Sequence, residues 1–498
     1  MTSPRYRPGP TTQHDNAAAR HAPRRAGRMA GIAAGFSLMA LLLVWQASHD
    51  DDNVPADELP LAAAQAQSAP GASNAAGATG TSRAPAIPDT TPAPARRDTA
   101  AAAADLVKRG EYLTRAGDCV ACHTADKGRP FAGGLPIGTP FGTIYTPNIT
   151  PDPDTGIGRW TDAEFVRAMR EGVGKRGERL YPAFPYTAYT RLAERDVLAI
   201  RAYLATLAPI HYTPPRNELV FPFNQRWLMF FWNLLNFHEG RFVPNPNQSP
   251  LWNRGAYLVE GLAHCEECHT PRNFMQGLKT TDRFSGEVQA GWQAYNITPD
   301  KTDGIGDWRD DELARYLATG VASGRASAAG PMADVVSYST QYLSAEDLRA
   351  IGVYLRSLPP VGGNATRARD QWGKPADDVG HLRGTAVAGV NGAQLFVANC
   401  ATCHAWTGLG VGGDAPLAYP SLIHNSVVGA ADAGNLAMVI LHGVDRQTKE
   451  ADVLMPGFAA ELDDDQIAAI ANYVTQRFGN PHATLSAADV SKLRTRQQ

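Results

Sequence analysis

The amino-acid sequence predicts an all-α protein: three tandem helical units that follow an N-terminal membrane helix and a disordered linker. Three observations carry that prediction. All six cysteines of the 498-residue chain fall into three Cys-x-x-Cys-His motifs, Cys119-Val-Ala-Cys122-His123, Cys265-Glu-Glu-Cys268-His269 and Cys400-Ala-Thr-Cys403-His404. The motifs sit in repeated surroundings: Asn148-Ile-Thr-Pro-Asp152 returns 148 residues on as Asn296-Ile-Thr-Pro-Asp300, and both runs continue through Gly-Ile-Gly to a tryptophan, Trp160 or Trp308. Each unit closes on the same apolar spacing, Val197-Ile200-Tyr203-Leu204, Leu348-Ile351-Tyr354-Leu355 and Ile467-Ile470-Tyr473-Val474, which is one face of a helix.

Taken in order, residues 1–28 carry six arginines against one acid and form a basic, cytoplasmic N-terminus. Residues 29–47 are apolar apart from Ser37 and Gln46, and His49-Asp50-Asp51-Asp52 follow them. That length and the arginines before it predict a membrane anchor with the body of the chain on the periplasmic side. The rival reading is a cleaved signal peptide, against which Trp45 stands where a small residue is needed. Residues 48–103, rich in Ala, Pro, Ser, Thr and Gly, lack the apolar side chains that would offset ordering entropy, so they read as a disordered linker.

Unit 1 is expected over 104–210, unit 2 over 248–360 and unit 3 over 386–480, with a linker at 361–385 and a tail at 481–498. A helical pattern bearing Gly110, Gly255 or Gly392 precedes each motif, and Gly172, Gly320 and Gly443 close an amphipathic stretch after it. Ser344 with Asp347, and Asp463 with Gln466, are capping signals for two of the final helices. Between units 1 and 2, residues 211–247 hold the most aromatic stretch, Leu219 to Phe237; Arg226 interrupts it and it is too short to span a bilayer. It reads either as a surface for membrane or partner, or as a helix packed between units. Hydrophobic content of 44% and a formal charge of −3 describe ordinary globular material and give no reason for nucleic acid.

The motif chemistry points to covalent haem c. Two thiols one helical turn apart can add to the two vinyl groups of one porphyrin, and the adjacent His123, His269 or His404 supplies an axial nitrogen to iron. Zinc would need further ligands at each site, and a thioredoxin-like redox pair does not require the histidine. The cofactor expectation is therefore three covalently bound haem c groups, attached through Cys119, Cys122, Cys265, Cys268, Cys400 and Cys403.

The glycine-bearing first helix, attachment site, loop and final helix with its aromatic resemble cytochrome c. That resemblance implies a methionine opposite each histidine. Twelve residues after Gly320 stands Met332, and twelve after Gly443 stands Met455, the expected sixth ligands of units 2 and 3. The same count from Gly172 reaches Phe184, which cannot ligate iron. Met169, where the other units have Leu317 and Ile440, is the candidate sixth ligand of unit 1, set against ordinary helix-face burial. His264, His211, His424 and His442 are further conceivable ligands, each read first as a locally satisfied histidine.

Over residues 104–480 the chain resembles the three-haem cytochrome c subunits of membrane-bound periplasmic dehydrogenases of the alcohol and gluconate type. The marks are Thr139-Pro-Phe-Gly-Thr143, Arg167-Ala-Met-Arg-Glu-Gly172, Leu180-Tyr-Pro-Ala, Pro331-Met332-Ala and Ser339-Thr-Gln-Tyr342. Phe184 departs from the methionine usual there and is closer to the cytochrome subunits that accompany molybdenum hydroxylases. The resemblance implies an electron-transfer subunit. Its partners would be a dehydrogenase catalytic subunit of quinoprotein, flavoprotein or molybdopterin type, with ubiquinone or a terminal oxidase as acceptor. The alternative is a haem enzyme in its own right, with an open first haem acting on peroxide or a small oxyanion; a free-standing electron shuttle is the third reading.

Overall fold

The computed structural model describes residues 94–363, 365–379, 390–411 and 419–495; the expected anchor and most of the expected N-terminal linker lie outside the described residues. In unit 1, helix α1 (Pro94–Ala116) leads into the one-turn helix Cys119–Cys122. A hairpin of β1 (Pro136–Thr139) and β2 (Gly142–Tyr145), helix α2 (Asp162–Glu171) and helix α3 (Glu194–Leu204) follow. The short strand β3 (Glu218–Leu219) adds to β2 before helix α4 (Leu228–Asn236). Unit 2 repeats the order with α5 (Pro250–Tyr257), hairpins β4–β5 (Glu287–Gln289, Trp292–Ala294) and β6–β7 (Val321–Ala322, Ala326–Ser327) on either side of α6 (Asp310–Thr319), then α7 (Pro331–Tyr338) and α8 (Ala345–Arg356). Unit 3 has α9 (Gly392–Asn399), α10 (Gly434–His442), hairpin β8–β9 (Val444–Gln447, Asp452–Met455), α11 (Asp464–Phe478) and α12 (Ala487–Thr495).

The expected all-α class is thus corrected to mostly helical with small antiparallel hairpins. The first is made by Gly142, whose φ of +118° closes the turn after Thr139-Pro-Phe. Three expected boundaries also move. Residues 94–103, assigned to the linker, already form the start of α1, because the run Ala100 to Ala104 has the strongest helix propensity available. The 481–498 tail contains α12, whose Val490 and Leu493 are buried and whose Arg494 pairs with Asp464 at 2.7 Å. The 361–385 linker is packed in part: Asp370 is buried and pairs with Arg325 at 3.0 Å.

The same crossing builds each unit. A Cβ on Gly110 would fall 1.8 Å from the Ala199 carbonyl oxygen, on Gly255 2.0 Å from that of Ala350, and on Gly392 2.1 Å from that of Ala469. Only glycine lets the first helix lie this close to the last. The Asn-Ile-Thr-Pro-Asp loops are pinned alike: Asn148 Oδ1 accepts from Thr150 N–H at 2.9 Å and Asn296 Oδ1 from Thr298 N–H at 2.8 Å. Their amides then donate onward to the chain leaving the final helix, at Ile210 O (2.8 Å) and Val361 O (2.6 Å). Ser344 caps α8 by accepting from Asp347 N–H, and Asp463 with Gln466 forms a capping box on α11.

Buried side chains of units 1 and 2 make one continuous core, from Leu113 and Ile200 through Leu258 and Leu262 to Leu348 and Tyr354. Unit 3 has its own, into which Trp292 of unit 2 reaches. Helix α4 packs one face between units 1 and 2: Asn233 accepts from Tyr186 Oη at 2.6 Å and Trp232 Nε1 donates to Met275 O at 2.8 Å. Its other face leaves Trp227, Phe230, Leu234 and Leu235 exposed. Among the described residues no helix is long and apolar enough to cross a membrane.

Candidate functional site

Each attachment motif forms a separate one-turn helix just after the first helix, Cys119–Cys122, Glu266–His269 and Ala401–His404, with Cys265 and Cys400 at the N-caps, and the i, i+3 spacing sets the two thiols on one side. None of the six cysteines is in a disulfide. Burial pushes the Cys119 and Cys265 thiols up to about 12 and that of Cys400 up to about 11. These are not the low-pKa thiols of a disulfide oxidoreductase, and among the described residues no group of three or more His, Cys, Asp and Glu could hold a metal ion.

The three histidines share one arrangement. Nδ1 of His123 lies 2.7 Å from Pro147 O, that of His269 2.6 Å from Tyr295 O, and that of His404 3.0 Å from Pro420 O. A carbonyl can only accept, so Nδ1 carries the proton and Nε2 keeps its lone pair. Burial lowers the pKa of all three, which favours the neutral ring. A neutral imidazole oriented through Nδ1 and open at Nε2 is what an axial iron ligand needs. The donor set fits haem c at every motif.

Of the expected sixth ligands, Met332 lies in the first turn of α7, half-buried against the shared core. Met455 ends β9, half-buried, with its carbonyl against Gly443. Met169, on α2, is 6% exposed within the core beside Phe165 and Tyr189, the place its counterparts Leu317 and Ile440 take in their own cores. The Phe184 ring meets Tyr189 edge-on at 5.5 Å, and Tyr189 Oη donates to Gly117 O, two residues before Cys119. His264 stacks edge-on against the same Tyr189 at 5.7 Å, so it sits between the first two motifs. His211 faces Asp152 at 3.4 Å and His424 Nδ1 the Asp370 carbonyl at 3.0 Å, whereas His442 Nε2 is enclosed without a partner.

Motifs 1 and 2 are neighbours. The Cys122 thiol is raised by burial first, then by the charges of Asp118 and Cys268. Two arginines that the sequence pattern does not single out lie where units 2 and 3 meet: half-buried Arg369 over the Tyr295 ring, and fully buried Arg446 near Tyr316. One signal was available: Tyr295 stands 148 residues after Pro147, and its counterpart behind His404 is also a proline, Pro420.

Fold and sites together define a c-type cytochrome with repeated haem c-binding domains. A family model for cytochrome c matches residues 107–208 and 389–477. The chain is 40% identical over 404 residues to the fructose dehydrogenase cytochrome subunit of Gluconobacter japonicus, covering 78% of this chain and 82% of that one. It is 38% identical over 406 residues to the cytochrome c subunit of alcohol dehydrogenase (quinone) of Gluconacetobacter polyoxogenes, covering 79% and 85%. It is also 41% identical over 384 residues to a nicotinate dehydrogenase subunit of Pseudomonas putida, covering 76% of this chain and 30% of that longer protein. The chain belongs to the family of cytochrome c subunits of dehydrogenases and is an electron-transfer subunit.

Proposed function

We propose that this chain carries three covalent haem c groups, one per unit, and relays electrons from a periplasmic dehydrogenase catalytic subunit of quinoprotein, flavoprotein or molybdopterin type to ubiquinone or a terminal oxidase. The domain order is an anchor at 29–47, a linker, and three cytochrome c units that begin near 94, 248 and 386, on the periplasmic face of the inner membrane. The observation that carries the reading is the threefold recurrence of a histidine held at Nδ1 by a backbone carbonyl, next to a paired thiol. When bound, each haem supplies one-electron redox chemistry at iron. The chain supplies the rest. Cys119 and Cys122, Cys265 and Cys268, and Cys400 and Cys403 would tether the porphyrins, while His123, His269 and His404 would each supply one iron ligand. Met332, Met455 and, for unit 1, Met169 would supply the second, leaving no iron position for substrate.

The test is extraction from membranes in mild detergent, with haem counted by pyridine haemochrome and co-purifying chains identified. The expected result is three haems per chain and a stoichiometric large subunit that carries quinone, flavin or molybdopterin. Phe184, in place of the usual methionine, favours a second reading in which the first haem is open. A chain purified alone that binds carbon monoxide at one haem and turns over peroxide unaided would establish that reading and overturn the relay.

A further inference from the structure

Arg446 is 1% exposed, the largest fully buried side chain among the described residues. It projects from β8 of unit 3 into unit 2, across Gly320, where a Cβ would fall 2.5 Å from its Cδ. Its Nη1 donates to two neutral acceptors, Ala328 O at 2.6 Å and Ser327 Oγ at 3.3 Å, and its Nε has no partner. Arg369, in the turn between units 2 and 3, lies over the Tyr295 ring at 4.3 Å. It donates to the Asp303 carbonyl at 2.5 Å, and its Nε is likewise enclosed and unpartnered.

Tyr295 Oη is a third buried polar atom without a partner. Asn435 lies beside it, but both ends of that amide are taken by the Gln293 backbone, at 2.8 and 2.9 Å. Tyr316 completes the group, close enough to both arginines for their charges to act on it. Asp303 and Asp370 lie near enough for their charges to act on Arg369, although Asp370 also pairs with Arg325, whereas Arg446 makes no ion pair among the described residues. Burial pulls both guanidinium groups below the usual arginine range. Arginine cannot escape by losing its proton, so Arg446, enclosed and held only by neutral acceptors, calls for an anion.

The cluster's position identifies the anion. The Tyr295 carbonyl holds His269 from behind, and Ala328, which accepts from Arg446, lies four residues before Met332, so the group adjoins the residues that would hold the unit 2 haem. We propose that Arg369, Arg446 and Tyr295 form a clamp for the carboxylate side arms of the haem attached at Cys265 and Cys268, with one arginine from the inter-unit turn and one from unit 3. The inference rests on the three-haem reading. Unit 1 lacks the clamp, since Pro147 replaces Tyr295 and the Tyr186 ring replaces Arg446 against its own glycine, Gly172.

The test uses the full chain, haem-loaded and in detergent, with haem counted by pyridine haemochrome and the three midpoint potentials measured by spectroelectrochemical titration. A wild-type count below three would overturn the three-haem reading itself, before any variant is made. With three haems present, Arg369→Gln and Arg446→Gln should each lower the potential of one and the same haem, because losing a cation beside its carboxylates favours the ferric charge. The other two potentials stay in place. Arg446→Lys, which keeps the charge and protects the fold, should restore most of the shift, and Met332→His identifies the unit 2 haem by moving that same potential. Unchanged potentials in both glutamine variants, or a shift in a different haem from the one Met332→His marks, would overturn the clamp. Adding phosphate to the wild type at constant ionic strength should shift nothing; a saturable shift would mean that a free anion occupies the site.

Discussion

At the residue scale, the chemistry rests on where single polar atoms point. His123, His269 and His404 were legible because they follow a cysteine pair, whereas the carbonyls that hold their Nδ1 atoms come from 16 to 26 residues further on and are set by the loop fold. Arg369 and Arg446 were not legible, since a charged residue in a linker or a hairpin reads as solvated until the chain is folded around it. Met169 lies between these cases. Its burial suits a packing residue, and the loss of methionine at position 184 suits a ligand. Met169→Leu separates the two roles, because the exchange nearly conserves volume and should cost less than about 1.5 kcal/mol, leaving the unit folded. Electron paramagnetic resonance of the oxidised protein should then show one of three haems converted from low to high spin. Three low-spin haems in the variant would make Met169 a core residue only.

At the element scale, the recurring structure is a helix crossing with no room for a side chain. Gly255→Ala would press a methyl group into the Ala350 carbonyl, 2.0 Å away, and against Tyr354 Cβ at 2.8 Å. Neither neighbour is a flexible side-chain end, so α5 and α8 must separate, with an expected loss of roughly 1–3 kcal/mol. Gly138→Ala, on a strand with open space around it, is the control and should change little. Calorimetric unfolding of the two variants checks the contrast; equal melting temperatures would mean that the crossing yields without cost. These crossings were legible because glycine and the apolar stripes recur at fixed places in all three units. The hairpins were not, since strands of two to four residues carry too little alternation to register. Helix α12 was missed for a similar reason: its apolar contribution is two buried residues, Val490 and Leu493.

At the scale of the whole molecule, units 1 and 2 are joined by reciprocal contacts. Tyr112 Oη of unit 1 donates to Asp347 of unit 2 at 2.5 Å, and Tyr257 Oη of unit 2 donates to Asp196 of unit 1 at 2.7 Å. Each aspartate is also paired within its own unit, Asp347 with Arg254 at 2.7 Å and Asp196 with Arg109 at 2.6 Å. The two tyrosines follow Gly110 and Gly255 by two residues, so the repeat in sequence becomes a near-symmetric pair in space, with motifs 1 and 2 side by side. Unit 2 meets unit 3 through a different surface, where Gln341 donates to Gln447 O at 2.9 Å and Arg446 enters beside Ala328. Unit 2 is therefore the shared neighbour, and electrons that pass between units 1 and 3 should cross it. On the proposed ligation, replacing the Met332 thioether with an imidazole should lower the potential of the unit 2 haem, because methionine ligation is what raises it. With Met332→His, reduction of the first haem by the partner should proceed at its wild-type rate in stopped-flow, while onward delivery between units 1 and 3 slows by at least about tenfold, a barrier of about 1.4 kcal/mol. Delivery at the wild-type rate would mean that units 1 and 3 exchange electrons without unit 2, and the linear order would fall.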